Sequence, residues 1–206
     1  MRRAPDVQTL PPVHPRYLEA LKLAVEPAKL PSLHLLGNPG LLARPLLALF
    51  CARQCPARLI VKAQDWARSV RDHDTTIISG FHTPVEKECF RVLLKGSCGL
   101  VLCPARGLPK RTPPEWREPI ESGRLLILSF FEDEETRPTT ALALERNRYV
   151  AALARESLIL HAPTSSKTFA LAEWAAAAKK VVSTLDDSLN ASLIKLGAKP
   201  SAGVPD

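Results

Sequence analysis

From Leu33 onward the apolar positions fall into short unbroken runs separated by longer stretches with helical periodicity. The runs are Leu33–Leu36, Leu46–Cys51, Thr75–Ser79, Gly99–Cys103, Leu125–Phe130, Ser157–His161 and Lys180–Thr184. Continuous apolar runs of this length suit strands covered on both faces, as in a parallel sheet. Between them, residues 57–72 place Leu59, Ala63, Trp66 and Val70 on one helical face, with Arg58, Lys62, Asp65 and Arg68 outward. Thr83-Pro84-Val85-Glu86 is a capping box with proline at the first helical position, and Thr112-Pro113-Pro114-Glu115 repeats it before Trp116. Further helices are expected over 139–155 and 167–178, with Gly197 and Pro200 closing the domain. Strands alternating with helices predict an α/β, doubly wound, mainly parallel sheet flanked by helices over residues 31–200. Residues 1–30 are punctuated by proline and read as a short N-terminal arm or small subdomain, with one short helix at Pro15–Val25. Residues 201–206 read as a frayed tail.

Composition narrows the class without naming a function. The chain has 206 residues, 46% of them apolar and 24% charged, which are globular values. Lys and Arg number 28 against 21 Asp and Glu, a net charge of +7 that permits nucleic acid or nucleotide partners. The longest apolar stretches, Leu125–Phe131 and Ala170–Ala178, are far shorter than a membrane span, and no apolar segment follows Met1-Arg2-Arg3. No membrane partner is therefore expected. Five cysteines without disulfide-framework spacing point to a reducing, cytoplasmic compartment. Cys51-x3-Cys55 and Cys98-x4-Cys103 lack zinc-ribbon spacing and read as core thiols, so neither metal nor cofactor is expected.

In open α/β sheets ligands bind beyond the carboxyl ends of the strands. The segments that follow the strands carry Arg53; Ser79, Gly80, His82 and Thr83; Arg106; and Thr164, Ser165, Ser166 and Lys167. These supply hydroxyls, cations and helix N-termini, the groups that hold phosphate, and no carboxylate pair for general acid–base chemistry. Arg146 lies four residues from both Leu142 and Val150, on the stripe that should face the sheet. An inward guanidinium needs an anion, either a ligand phosphate or a protein carboxylate such as Glu173 or Asp65. His82 fits a phosphate contact or a helix-start hydrogen bond, while His34 and His161 read as satisfied strand histidines. Trp66 and Trp174 sit on apolar stripes and read as core, with Trp116 half exposed. Glu132–Glu135 reads as a solvated acidic loop.

Gly37-Asn38-Pro39-Gly40-Leu41-Leu42-Ala43-Arg44-Pro45, followed by Leu46–Arg53, resembles the DprA/Smf DNA-processing family. The family's Gly-Ser-Arg motif reads Cys51-Ala52-Arg53 here, and its Ser-Gly-Leu-Ala-Arg-Gly stretch reads Ser79-Gly80-Phe81-His82-Thr83-Pro84. Arg146-Asn147-Arg148 equals the family's Arg-Asn-Arg, and Asn190–Ala198 is similar to its closing Asn-x-Leu-Ile-x-x-Gly-Ala. The resemblance covers about residues 30–198 and implies a short, Rossmann-like member without the winged-helix extension. It implies binding of single-stranded DNA linked to uptake and recombination, with a RecA-type recombinase as partner. Arg53, Ser79, Gly80, Arg146, Asn147 and Arg148 would then line a phosphate pocket, with Lys167 where the family is Gly-rich. A symmetric homodimer is the default for such domains.

Two other readings stay open. One is a nucleotide or nucleotide-derivative binder related to the Lonely Guy phosphoribohydrolases. Of their Pro-Gly-Gly-x-Gly-Thr-x-x-Glu motif, residues 163–168 keep only Pro163 and Thr168, and the glutamate position is Leu171. That departure removes the catalytic carboxylate, so no catalytic residue is expected. The other is an interaction module that kept the fold and lost the ligand. Aromatic residues make up 5% of the chain, so base-stacking platforms are scarce and any DNA contact is expected to run through arginine and phosphate.

Overall fold

In a computed structural model the described residues, 7–14, 18–24, 26 and 29–201, build one nine-stranded sheet in the order β1-β2-β6-β5-β4-β3-β7-β8-β9. The strands are β1 (Val7–Leu10), β2 (Leu33–Gly37), β3 (Leu46–Phe50), β4 (Thr76–Ser79), β5 (Gly99–Leu102), β6 (Leu125–Ser129), β7 (Glu156–Ile159), β8 (Val181–Leu185) and β9 (Lys199–Ser201). The helices are α1 (Glu19–Ala24), α2 (Ala57–Val70), α3 (Pro84–Leu93), α4 (Pro114–Glu121), α5 (Thr140–Leu153), α6 (Lys167–Ala177) and α7 (Ala191–Lys195). β1 and β2 pair antiparallel, as do β2 and β6, and all other pairs are parallel.

Alternation along each strand divides the core in two. Leu46, Ala48 and Phe50 of β3 join Ile78, Val101, Leu126 and Ile159 in the layer covered by α5 and α6. Leu47, Leu49 and Cys51 face the other way, onto Leu59, Ala63, Trp66, Val70, Phe90 and Leu93 of α2 and α3. A helix on each face of a parallel sheet leaves no strand surface for water, which explains the unbroken apolar runs. The strand order reverses at β3: β4, β5 and β6 extend to one side, β7 to β9 to the other. Helix α5 is the connection that crosses back, and it packs over β3 and β4.

The seven expected strands are present, with ends shifted by one or two residues. Two edge strands were not anticipated. Residues of the N-terminal arm form β1, with Thr9 opposite His34, and α1 packs on α5. Pro200 closes nothing; it sits inside β9, whose Ser201 pairs with Leu185, so Ser201 belongs to the sheet and not to a tail. A proline is tolerated there because β9 is an edge. The expected helix at Pro15–Val25 is described over Glu19–Ala24; residues 15–17 and 25, like 202–206, lie outside the described residues. Helix α4 begins where expected, but Pro113 is its cap residue and Thr112 makes no capping bond. Among the described residues no helix is long and apolar enough to cross a membrane.

Candidate anion site at the carboxyl ends of the strands

The segments after β3 and β7 leave the sheet side by side at the reversal, joined by Ala52 N–H donating to His161 O at 2.8 Å. This is the crevice that open α/β sheets use for ligands. Beside it, the segment after β4 turns sharply. Ser79 is fully buried; its hydroxyl donates to Leu49 O at 2.7 Å and accepts from Phe81 N–H at 3.0 Å. Ser79 is therefore a staple of the turn, with no hydroxyl left for a ligand. Phe81 takes a φ of 43°, a left-handed conformation that costs a bulky residue about 1 kcal/mol or more. Its ring is held by stacking on Phe90 at 4.4 Å, and Phe90 meets half-buried Trp116 edge-on.

Arg146 reaches this turn from α5 and is 2% exposed. Its Nε donates to Asn147 Oδ1 at 2.8 Å and an Nη donates to the Cys103 carbonyl at the end of β5. The protein carboxylates expected as alternatives, Glu173 and Asp65, do not pair with it; Asp65 pairs with Arg68. The guanidinium lies directly under Gly80, where a Cβ would fall 1.5 Å from Nη1. Gly80 is thus required by the arginine beneath it. Burial pulls the Arg146 pKa down, opposed by the charge of Glu86. Glu86 is 5% exposed, and its carboxylate accepts from Cys51 N–H at 2.9 Å, His82 N–H at 2.8 Å and Thr83 N–H at 3.2 Å.

Around this floor stand exposed basic side chains. Burial first, then Arg146, with Lys87 and Arg53 behind it, pushes the His82 imidazole below its ordinary pKa, while Glu86 opposes. Those influences place Arg53, His82, Lys87 and Arg146 in one electrostatic neighbourhood. Arg53, His82 and Lys87 are exposed, and none has a side-chain carboxylate partner among the described residues. One internal carboxylate faces several cations, so the site carries a positive field that a phosphate would balance.

The remaining expected residues divide. Thr83 caps α3 through a reciprocal box with Glu86, so its hydroxyl is engaged. Thr164, Ser165 and Lys167 are exposed beyond β7, across the reversal, while Ser166 caps α6 by accepting from Phe169 N–H at 3.1 Å. Arg106 is exposed in a segment anchored to the acidic turn, where Gly107 N–H donates to Glu135 O. Arg148 does not join Arg146: two residues on is about 200° round a helix. It lines instead an outer groove of about 690 Å³ with Lys29, Glu145, Tyr149 and Trp174. Trp174 is accordingly half-buried and not wholly core. Leu171, at the position where a phosphoribohydrolase carries its glutamate, is buried in the apolar layer.

The other small signals resolve simply. His161 is buried with Nδ1 2.8 Å from Asn190 Oδ1, and Asn190 donates on to the Leu160 and Leu185 carbonyls. All five thiols are free, and Cys55 alone is half-buried. Burial pushes Cys89 and Cys103 up to about 12, which keeps them protonated and inert. Among the described residues no three His, Cys, Asp or Glu side chains are arranged to hold a metal. Sequence reasoning missed Glu86 as a site residue, although Thr83-x-x-Glu86 was in view, and it missed Lys87 one residue on.

Comparison with known proteins agrees with this architecture. DNA processing protein A from Streptococcus pneumoniae superposes with a TM-score of 0.77 at 20% identity, covering 95% of this chain and 71% of its own. The Helicobacter pylori protein of that name gives 0.74 at 23% identity, covering 94% and 90%. A molybdenum cofactor binding protein from Rippkaea orientalis gives 0.55 at 11% identity, covering 78% and 90%. At these identities the likenesses establish a shared fold. No curated protein matches the sequence. The family of DNA recombination-mediator protein A, however, matches residues 8–202, nearly the whole chain, and the protein belongs to that family.

Proposed function

We propose that this protein binds the phosphate backbone of single-stranded DNA at the carboxyl ends of β3 and β4. The observation that carries the reading is the set of exposed Arg53, His82 and Lys87, without carboxylate partners among the described residues, around the turn floored by Arg146. Family membership and the single-stranded DNA binding described for the H. pylori relative support it. The cations act as follows. Arg53 and Lys87 neutralise phosphate charge at the rim. Buried Arg146 adds a fixed positive field from below without exchanging its own hydrogen bonds. Thr164, Ser165 and Lys167 extend the track across the reversal.

The competing reading, a pocket for a free nucleotide, is separated by one pair of titrations. Fluorescence anisotropy with a labelled oligo-dT should show binding whose affinity falls log-linearly with salt. Thermal shift with mononucleotides should show no stabilisation. Stabilisation by one mononucleotide with no DNA binding would assign the pocket to a small ligand.

A further inference from the structure

The Glu86 carboxylate does more than a helix cap requires. A capping box needs one bond from the N3 side chain back to the cap residue, supplied here by Thr83 N–H. The other contacts reach outside the helix: Oε2 also takes His82 N–H, and Oε1 takes Cys51 N–H at the end of β3. Cys51 stands two residues before Arg53. One buried carboxylate therefore ties the segment carrying Arg53 to the segment carrying His82. It takes the N–H groups of the two residues that precede α3, while the Thr83 hydroxyl takes Glu86 N–H inside the first turn.

We propose that Glu86 is the positioning residue of the anion site, holding Arg53 and His82 in register through backbone N–H groups. The inference rests on the phosphate reading above. Charge and position make opposite demands. As a negative neighbour alone, Glu86 repels phosphate, and Glu86→Gln should tighten binding. As a positioning group it is needed, because a carboxamide must present its NH2 to one of the N–H donors and releases that segment. Glu86→Asp keeps the charge and shortens the reach.

The test is oligo-dT anisotropy across a salt series for wild type, Glu86→Gln, Glu86→Asp, Arg53→Ala and the Glu86→Gln/Arg53→Ala double variant. Both Glu86 variants should lose about tenfold in affinity, the scale of one hydrogen bond to a charged group. Their salt slopes should fall toward that of Arg53→Ala, and the double variant should lose less affinity than the product of the two single losses. General loosening of the fold would change neither the slope nor the additivity. Should Glu86→Gln lose its circular dichroism spectrum, the Asp variant decides. Tighter or unchanged binding by either folded Glu86 variant, or losses that multiply in the double variant, overturns the proposal. Wild type that fails to bind, or Arg53→Ala that binds as wild type, overturns the phosphate reading itself.

Discussion

The two ends of the sheet both gather basic side chains, yet they treat them differently. At the amino ends a cavity of about 590 Å³ is lined by Arg44, Lys95 and Arg124. There Arg44 pairs with Asp74, and Arg124 donates to the Leu93 and Leu94 carbonyls that end α3. Glu118 lines the same cavity, with Lys95. At the carboxyl ends Arg53, His82 and Lys87 stand without carboxylate partners among the described residues, above an arginine that donates to a carbonyl and an amide oxygen. A cation already balanced by protein groups offers a ligand little; an unbalanced one leaves a field to be filled. The number of basic residues does not mark the site; their gathering over a buried arginine at the reversal of the sheet does.

The largest expected effect comes from adding one carbon. Gly80→Ala places a Cβ 1.5 Å from Arg146 Nη1. A guanidinium at the end of a flexible chain normally yields cheaply, but this one is buried and bonded to the Cys103 carbonyl. Displacing it strands a buried charge, so the melting temperature should drop and oligo-dT affinity should fall by about a hundredfold. Normal melting and normal affinity would remove Arg146 from the account.

A smaller effect concerns pH. His82 sits below its ordinary 6.5 in the free protein, through burial and then Arg146, Lys87 and Arg53. A bound phosphate raises that value, so binding takes up a proton. Affinity should therefore rise about three- to tenfold as pH is lowered from about 7.5 to about 5.5, and His82→Ala should flatten the profile. In the free protein the depressed value has the opposite consequence for folding. The unfolded chain protonates first as pH falls through 6.5, so stability declines on the acid side.

The smallest effect is expected at Arg148, where Ala should change oligo-dT affinity less than about twofold, because the side chain faces the outer groove. A tenfold loss there would place the nucleic acid over α5 and not over the strand ends.

Residues that pack as a repeating pattern were legible in the sequence, and residues defined by a distant partner were not. The buried strands announce themselves as unbroken apolar runs, and the inward face of α2 by apolar residues three and four positions apart. β1 gives no such signal: its residues are mostly exposed, and it exists because β2 offers an open edge. β9 carries a proline that argues against a strand until its edge position is known. At the site, the inward placement of Arg146 followed from helical spacing, but its carbonyl partner lies 43 residues away and no side chain advertises it. Arg148 was drawn into the pocket by the contiguity of a motif, which a helix does not respect. Glu86 was read as a cap because the local box is visible, while its bond to Cys51 spans 35 residues.

The most direct measurement of the central claim compares the two ends of the sheet by salt dependence. Oligo-dT affinity is measured across a salt series for wild type, Arg53→Ala and Arg44→Ala. Each phosphate contact on a single strand contributes about 0.7 to the log–log slope. The account predicts that Arg53→Ala weakens binding and lowers the slope by about that amount, whereas Arg44→Ala, already balanced by Asp74, changes neither. Equal losses in the two variants would mean that overall positive charge, and not the basic side chains gathered after β3 and β4, holds the DNA.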